Sequence, residues 1–340
     1  MKLPLLRMGI FAALPSLILL VAMEFYARKN FQVLLPTSAQ APGPITESGC
    51  IRPDPLMGFV PAPGQCGNDN RGVMLRRGGD GPPGARRVIL LGDSVTHGLG
   101  SATLLETRLS SGWGGVPTVV RNMGVPGYDS CQEWQHLERT GWSLNPDLVI
   151  LMFCVNDDNL QTILAPMDGG RVMLTVGREH FVFPRLLLHS RLALWLATVA
   201  VDTQISEYEA PRNISRDCVA AMAKSAREHN VPFMVALLPA LESARPEELM
   251  DPGLTWREIT QRRRPGGAPP VLEWEALART NLRSLGVPFL DLRPVLETSG
   301  PLEDLRRGPH DNIHVGTRGS HLILEATADF VLHTEIISTR

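Results

Sequence analysis

Five short apolar runs, each followed by a stretch with helical spacing, limit what this 340-residue chain can fold into. The runs lie at residues 88–91, 118–121, 148–153, 233–238 and 289–292. Helices are expected at 102–110, 132–142, 214–229, 272–285 and 319–334, with Asn213 as an N-cap and Gly286 as a C-terminal stop. Runs this short and this apolar, bounded by turn formers, read as strands buried on both faces. Their alternation with helices predicts a three-layer α/β/α domain around a parallel five-stranded sheet with right-handed crossovers.

Two intervals break the alternation. Residues 159–212 hold a Gly-rich turn at 168–170, a small hairpin at 172–182 and an apolar helix at 186–201, and residues 239–270 are irregular. Both leave the carboxyl edge of the sheet, where insertions shape substrate sites. The α/β domain therefore spans 87–340. Before it, residues 30–86 are rich in Pro and Gly and read as a linker and irregular cap. Residues 1–29 contain an uncharged apolar segment from Met8 to Met23, preceded by Lys2 and Arg7 and followed by Arg28 and Lys29. This N-terminal apolar helix suits an uncleaved signal anchor, with a cleaved signal sequence as the alternative. Its position implies a membrane-anchored domain on the exported side, or else a secreted one.

The net charge of -2 and the absence of a basic stripe give no reason to expect a nucleic-acid partner. Among the five cysteines no CxxC or Cys/His spacing appears, so neither a metal nor another cofactor is expected. In an exported chain Cys50 and Cys66 can close a loop, and Cys131–Cys154 is a weaker second pairing. An odd count leaves at least one thiol free. Trp134, Trp142 and Trp195 lie in helical stretches and are expected to pack in the core.

The first run ends in Gly92-Asp93-Ser94, with Gly98 four residues on. A serine at a strand-to-helix corner sits at the carboxyl edge of a parallel sheet, where α/β folds gather ligands. Near the C-terminus, Asp311 and His314 are three apart, directly before the last helix. That spacing lets a carboxylate hold one imidazole nitrogen while the other faces a nucleophile. His310 and His321 lack such an acid. Each motif alone is equally ordinary helix-entry chemistry; the two together point to a Ser94–His314–Asp311 unit. Two further loops leave the same edge, Asn122 to Tyr128 and Cys154 to Asp157. With the Ser94 N–H, the Gly127 N–H and the Asn156 side chain can form an oxyanion hole.

Ser, Gly, Asn and Asp-x-x-His on four strand ends, in this order, resemble the SGNH (GDSL-type) hydrolase family. The resemblance covers roughly residues 87–335, and residues 54–72 look like the lead-in of its bacterial membrane-anchored members. It implies a flavodoxin-like sheet order and serine-dependent hydrolysis of a carboxylic ester. Ser94 would be nucleophile, His314 general base and Asp311 its orienter, with Ser94, Gly127 and Asn156 holding the oxyanion and Asp93 and Asp157 fixing the loops. Cys154 departs from the family pattern, standing where Gly is usual. No G-x-S-x-G is present, which excludes the nucleophile elbow of the α/β-hydrolase fold. The expected partner is a small acyl ester, a lipid or an acetylated sugar. The alternatives are an O-acyltransferase acting on envelope or exopolysaccharide sugars, or a non-catalytic scaffold, which would be expected to have lost one of the three residues.

Overall fold

The computed structural model describes residues 15, 18–27, 29, 50–54, 57–76, 79–154, 157, 162–167, 171–176, 179–184, 190, 192, 193, 196, 211–241, 271–309, 311, 313–334 and 336. In chain order the strands are β1 (Ile51–Asp54), β2 (Gly58–Pro61), β3 (Arg86–Gly92), β4 (Thr118–Gly124), β5 (Leu148–Phe153), β6 (Thr162–Met167), β7 (Arg171–Val176), β8 (Glu179–Pro184), β9 (Phe233–Leu237) and β10 (Phe289–Asp291). The helices are α1 (Ser94–Gly98), α2 (Thr103–Gly112), α3 (Ser130–Arg139), α4 (Pro211–Glu228), α5 (Val271–Ser284), α6 (Leu292–Glu297) and α7 (Thr317–His333). The chain divides into two compact units, one of residues 49–52, 60–161 and 209–340, the other of residues 1–48, 53–59 and 162–208.

The larger unit is built on a parallel sheet of order β10-β9-β5-β3-β4. Counted in sequence within this sheet, the order is 2-1-3-4-5, the flavodoxin-like arrangement. All five predicted runs became its strands. The alternation of each strand divides the core in two. Val88, Leu90, Leu148, Ile150, Met152, Met234 and Ala236 face one apolar cluster, closed by Leu105 and Leu109 of α2 and Ile323, Leu324 and Ala328 of α7. Ile89, Leu91, Val149, Leu151, Val235 and Leu237 face the other, closed by Leu137 of α3, Met222 of α4 and Trp274 of α5. Trp134 and Trp142 pack against this second cluster, as expected, and Trp142 also stacks on His229 at 4.1 Å. Trp195 lies outside the described residues.

Two expectations are corrected and a third, the hairpin, is found and extended. Asn213 is inside α4, which begins at Pro211, a residue suited to the first turn because its missing N–H would have had no partner there. The chain from 51 to 61 carries two strands in a region read as irregular. The hairpin at 172–182 is part of a three-stranded antiparallel sheet, β6-β7-β8, in the smaller unit. Most of 186–201 and all but the first residues of 239–270 lie outside the described residues.

In the smaller unit residues 18–27 are helical. Glu24 accepts hydrogen bonds there from the Ser190 hydroxyl at 2.8 Å and the Leu192 N–H at 2.9 Å. Among the described residues no helix is long and apolar enough to cross a membrane.

Candidate active site

The site is assembled where the sheet order reverses, at the carboxyl ends of β3, β4 and β5. β3 ends at Gly92, whose φ is +155°. A Cβ there would collide with Thr96 and sit 3.1 Å from the Met152 carbonyl, so only glycine lets α1 and β5 approach this closely. Asp93 then caps α1, its Oδ1 accepting from the Val95 N–H at 2.8 Å. Ser94 is the first helical residue and is half-buried.

Asn122 of β4 anchors this corner. Its side-chain amide donates to the Thr96 and Gly100 carbonyls at 2.7 and 2.8 Å, and its oxygen accepts from the Gly124 N–H. The Val125 N–H then donates to the Gly92 carbonyl at 3.0 Å, and the Tyr128 N–H closes a turn on the Val125 carbonyl. Pro126 and Gly127 are the central residues of that turn, and the φ of +87° at Gly127 suits type II. Gly127 is thus brought to the same sheet edge as Ser94. Among the described residues neither the Ser94 nor the Gly127 N–H has a hydrogen-bond partner. After β5 the Asp157 N–H donates to the Cys154 carbonyl at 3.1 Å, and the Asp157 carboxylate accepts from the Cys154 N–H at 2.7 Å. Asn156 lies outside the described residues.

The loop before α7 supplies the other half. Its backbone is pinned by Arg307 N–H to the His314 carbonyl (2.9 Å) and Gly316 N–H to the Leu305 carbonyl (2.7 Å). Asp311 Oδ1 accepts from the His314 N–H at 2.8 Å and from its ring Nδ1 at 2.9 Å. On the other side of the ring, Nε2 lies 2.8 Å from the Ser94 hydroxyl, across 220 residues of sequence. Burial by itself raises the Asp311 pKa. The His314 backbone N–H, the His314 charge and ring N–H, and the Ile313 N–H outweigh it, leaving this carboxyl below its ordinary value.

A sequence profile of the GDSL-like Lipase/Acylhydrolase family matches residues 90–322, two thirds of the chain. The chain belongs to that family. It is a serine ester hydrolase of the SGNH (GDSL) type. Among solved structures this GDSL-like hydrolase is similar to an acetyl xylan esterase, at 15% identity over 72% of this chain and 99% of the other, TM-score 0.43. It is also similar to the lipase/acylhydrolase from Enterococcus faecalis, at 14% identity over 73% and 96%, TM-score 0.45. A third is a catalytic mutant of an acetylxylan esterase from Geobacillus stearothermophilus, at 12% identity over 76% and 99%, TM-score 0.45. Comparison with curated protein sequences finds no match.

Besides Asp93 and Asp157, expected to fix the loops, Arg307 and Glu133 neighbour the hydrolase's site and were not singled out in the sequence. Asp93 Oδ2 is a second acceptor for the Ser94 hydroxyl, at 3.1 Å, and Arg307 pairs with Asp311 at 3.2 Å. Beneath them Glu133 is fully buried, and neither of its carboxylate oxygens has a hydrogen-bond partner among the described residues. Burial and then the charges of Asp157, Asp93 and Asp129 push its pKa well up. Burial, with Asp93 next, raises Asp157 likewise. Among the described residues one trio has the spacing of a cation site: ligand atoms of Asp93, Cys154 and Asp157 lie within 4.8 Å of one another. The trio does not fit a cation. Its Asp157 oxygens already accept from the Cys154 N–H and thiol, and burial raises the pKa of both Cys154 and Asp157, which disfavours the anionic ligands a cation takes.

The cysteines pair as Cys50–Cys66, as expected, and as Cys131–Cys218. The expected Cys131–Cys154 pairing is thereby corrected. Cys154 is a buried thiol outside both disulfides and turned to Asp157, while Cys131 on α3 faces α4. The 87-residue separation of Cys131 and Cys218 carries no local signal.

Proposed function

We propose that this hydrolase cleaves carboxylic esters through an acyl-enzyme on Ser94, with His314 as general base and Asp311 as its orienter. One observation carries the reading. The His314 ring bridges the Ser94 hydroxyl on one side and the Asp311 carboxylate on the other, at 2.8 and 2.9 Å. An ionised Asp311 can only accept, so Nδ1 holds the ring proton and Nε2 offers its lone pair to Ser94.

In the proposed sequence Ser94 Oγ attacks the acyl carbon as its proton passes to Nε2. The oxyanion forms against the Ser94 and Gly127 N–H groups and the Asn156 amide. Collapse expels the alcohol, which takes the proton from Nε2. Water activated by the same ring then frees the acid. Asp311 stabilises the imidazolium formed in each half. The substrate class proposed is a small acyl ester, a lipid or an acetylated sugar. Transfer to a sugar acceptor shares every step up to the acyl-enzyme, so a screen with and without such an acceptor separates the two outcomes. Ser94→Ala is expected to abolish turnover of a short-chain nitrophenyl ester while leaving the circular dichroism spectrum unchanged. Undiminished turnover would remove Ser94 from the role.

We further propose that the catalytic domain is exported and held at a membrane by its N-terminal segment. Supporting this, Ile18, Leu19, Leu20, Val21, Phe25 and Tyr26 of the helical residues 18–27 are more than half exposed, while the Glu24 charge is hydrogen-bonded within its unit. Two disulfides suit an oxidising compartment. Retention of the full chain in carbonate-washed membranes is the expected result; complete release into the wash would refute the anchor.

A further inference from the structure

Two helices that carry none of the proposed reacting groups converge behind the turn after β5. The first turn of α3 reaches it directly. The Ser130 N–H and the Ser130 hydroxyl both lie within hydrogen-bond distance of the Asp157 carbonyl, at 3.2 and 3.1 Å. The same hydroxyl meets the Ser215 hydroxyl of α4 at 2.8 Å. Ser130, Ser215 and Asp157 are all buried, so these contacts are shielded from competing water. One residue beyond Ser130 on α3 and three beyond Ser215 on α4, Cys131 and Cys218 join the helices covalently. Residues three apart share one helix face. The disulfide therefore holds α4 at the register in which Ser215 meets Ser130, and Ser130 in turn grips Asp157. The Asp157 side chain completes the chain of contacts, accepting from the Cys154 N–H at 2.7 Å.

We infer that the Cys131–Cys218 disulfide, acting through Ser215 and Ser130, is a positioning device for the Cys154–Asp157 turn, and through it for the substrate oxyanion. The inference rests on the proposed role of Asn156, the residue directly before Asp157. A hydrogen-bond donor counts in catalysis only when it is aimed at the place where charge develops, and small displacements are costly. A covalent tie between helices can hold that aim where the hydrogen bonds alone would allow rocking. The other disulfide, Cys50–Cys66, joins residues 16 apart in sequence, ahead of the sheet.

The test compares full-length variants on nitrophenyl acetate, well below each variant's melting temperature. Removing an oxyanion donor typically costs about 100- to 1,000-fold in kcat, and misaiming one costs part of that. Cys131→Ala/Cys218→Ala is therefore expected to lower kcat about ten-fold and leave KM within about two-fold. Its affinity for a boronic acid that forms a tetrahedral adduct should fall in step with kcat. Ser215→Ala keeps the disulfide and should lower kcat by a smaller factor, about three-fold. Cys50→Ala/Cys66→Ala should leave kcat unchanged. A merely structural disulfide would lower the melting temperature without moving kcat or boronate affinity, and that result overturns the inference. If the double alanine variant does not fold, Ser215→Ala decides: a lower kcat at unchanged KM supports positioning, and an unchanged kcat refutes it. Ser94→Ala in the same assay separates the two levels. Activity surviving in that variant sinks the proposed function itself; activity lost there while the Cys131→Ala/Cys218→Ala kcat holds sinks only the disulfide's role.

Discussion

Asp311 accepts from its neighbour's backbone N–H as well as from the imidazole, so it fixes where the His314 ring can be as well as which nitrogen is protonated. Asp311→Asn keeps an acceptor but removes the countercharge for the imidazolium. The expected result is a fall in kcat on the order of 1,000- to 10,000-fold, with KM little changed. The same residue has a stability signature. Its carboxyl is held below the ordinary range, so the folded state favours the anion. That contribution is present above the unfolded carboxyl's pKa and is lost as pH falls through the lower folded value. Acid melts of the Asn variant should lack this loss. Ser94, Asp311 and His314 were legible in the sequence because each motif is short and its spacing is local. Asn122, Arg307 and Ser130 were not. Their partners are the Thr96 carbonyl, the Asp311 carboxylate and the Asp157 carbonyl, and only Asp311 lies nearby in sequence. Even there the pairing depends on a loop folding back on itself.

Among the elements, α3 is the one whose sequence said least about its surroundings. Its start at Ser130 comes two residues before the expected 132 and is set locally: Asp129 accepts from the Cys131 and Gln132 N–H groups while the Gln132 side chain accepts from the Asp129 N–H, a capping box written in four adjacent residues. Its interior was not readable, since Glu133 and His136 look like ordinary polar positions yet are both buried. Burial, with a smaller push from Arg139, lowers the His136 pKa to about 4. The unfolded chain therefore binds a proton before the folded one does. Stability should be full near neutrality and decline as pH falls from 6.5 toward 4, by on the order of 3 kcal/mol in total. Glu133 has the opposite sign. Its pKa is raised, chiefly by burial, so its contribution declines as pH rises above the ordinary carboxyl range. His136→Leu should flatten the acid side of a urea-midpoint profile, and Glu133→Gln should raise the midpoint at pH 8. A profile unchanged by either substitution would mean that these groups titrate alike in the folded and unfolded chain. The strands were the opposite case. Their apolar alternation has to satisfy two helical layers at once, which leaves a pattern visible without knowledge of the partners.

Across the larger unit, the two halves of the site meet through a packed core and not through a hinge. Ser94 follows β3, whose Val88 and Leu90 face the same apolar cluster as Ile323, Leu324 and Ala328 of α7. His314 stands three residues before α7 begins, on a loop tied back to Leu305. The contact between the Ser94 hydroxyl and the imidazole therefore depends on α7 being seated. Ile323 is fully buried. Ile323→Ala removes most of that side chain and leaves a cavity, at an expected cost of about 2–5 kcal/mol. If α7 belongs to the cooperative core, the urea midpoint for esterase activity and the midpoint for loss of helical circular dichroism should shift together in this variant. If α7 opens on its own, activity should disappear at lower urea than the helical signal, and the gap should widen in Ile323→Ala. Coincident midpoints are the outcome that the shared apolar cluster requires. A widened gap would mean that α7 opens as a unit of its own, taking the geometry at Ser94 with it before the rest of the core unfolds.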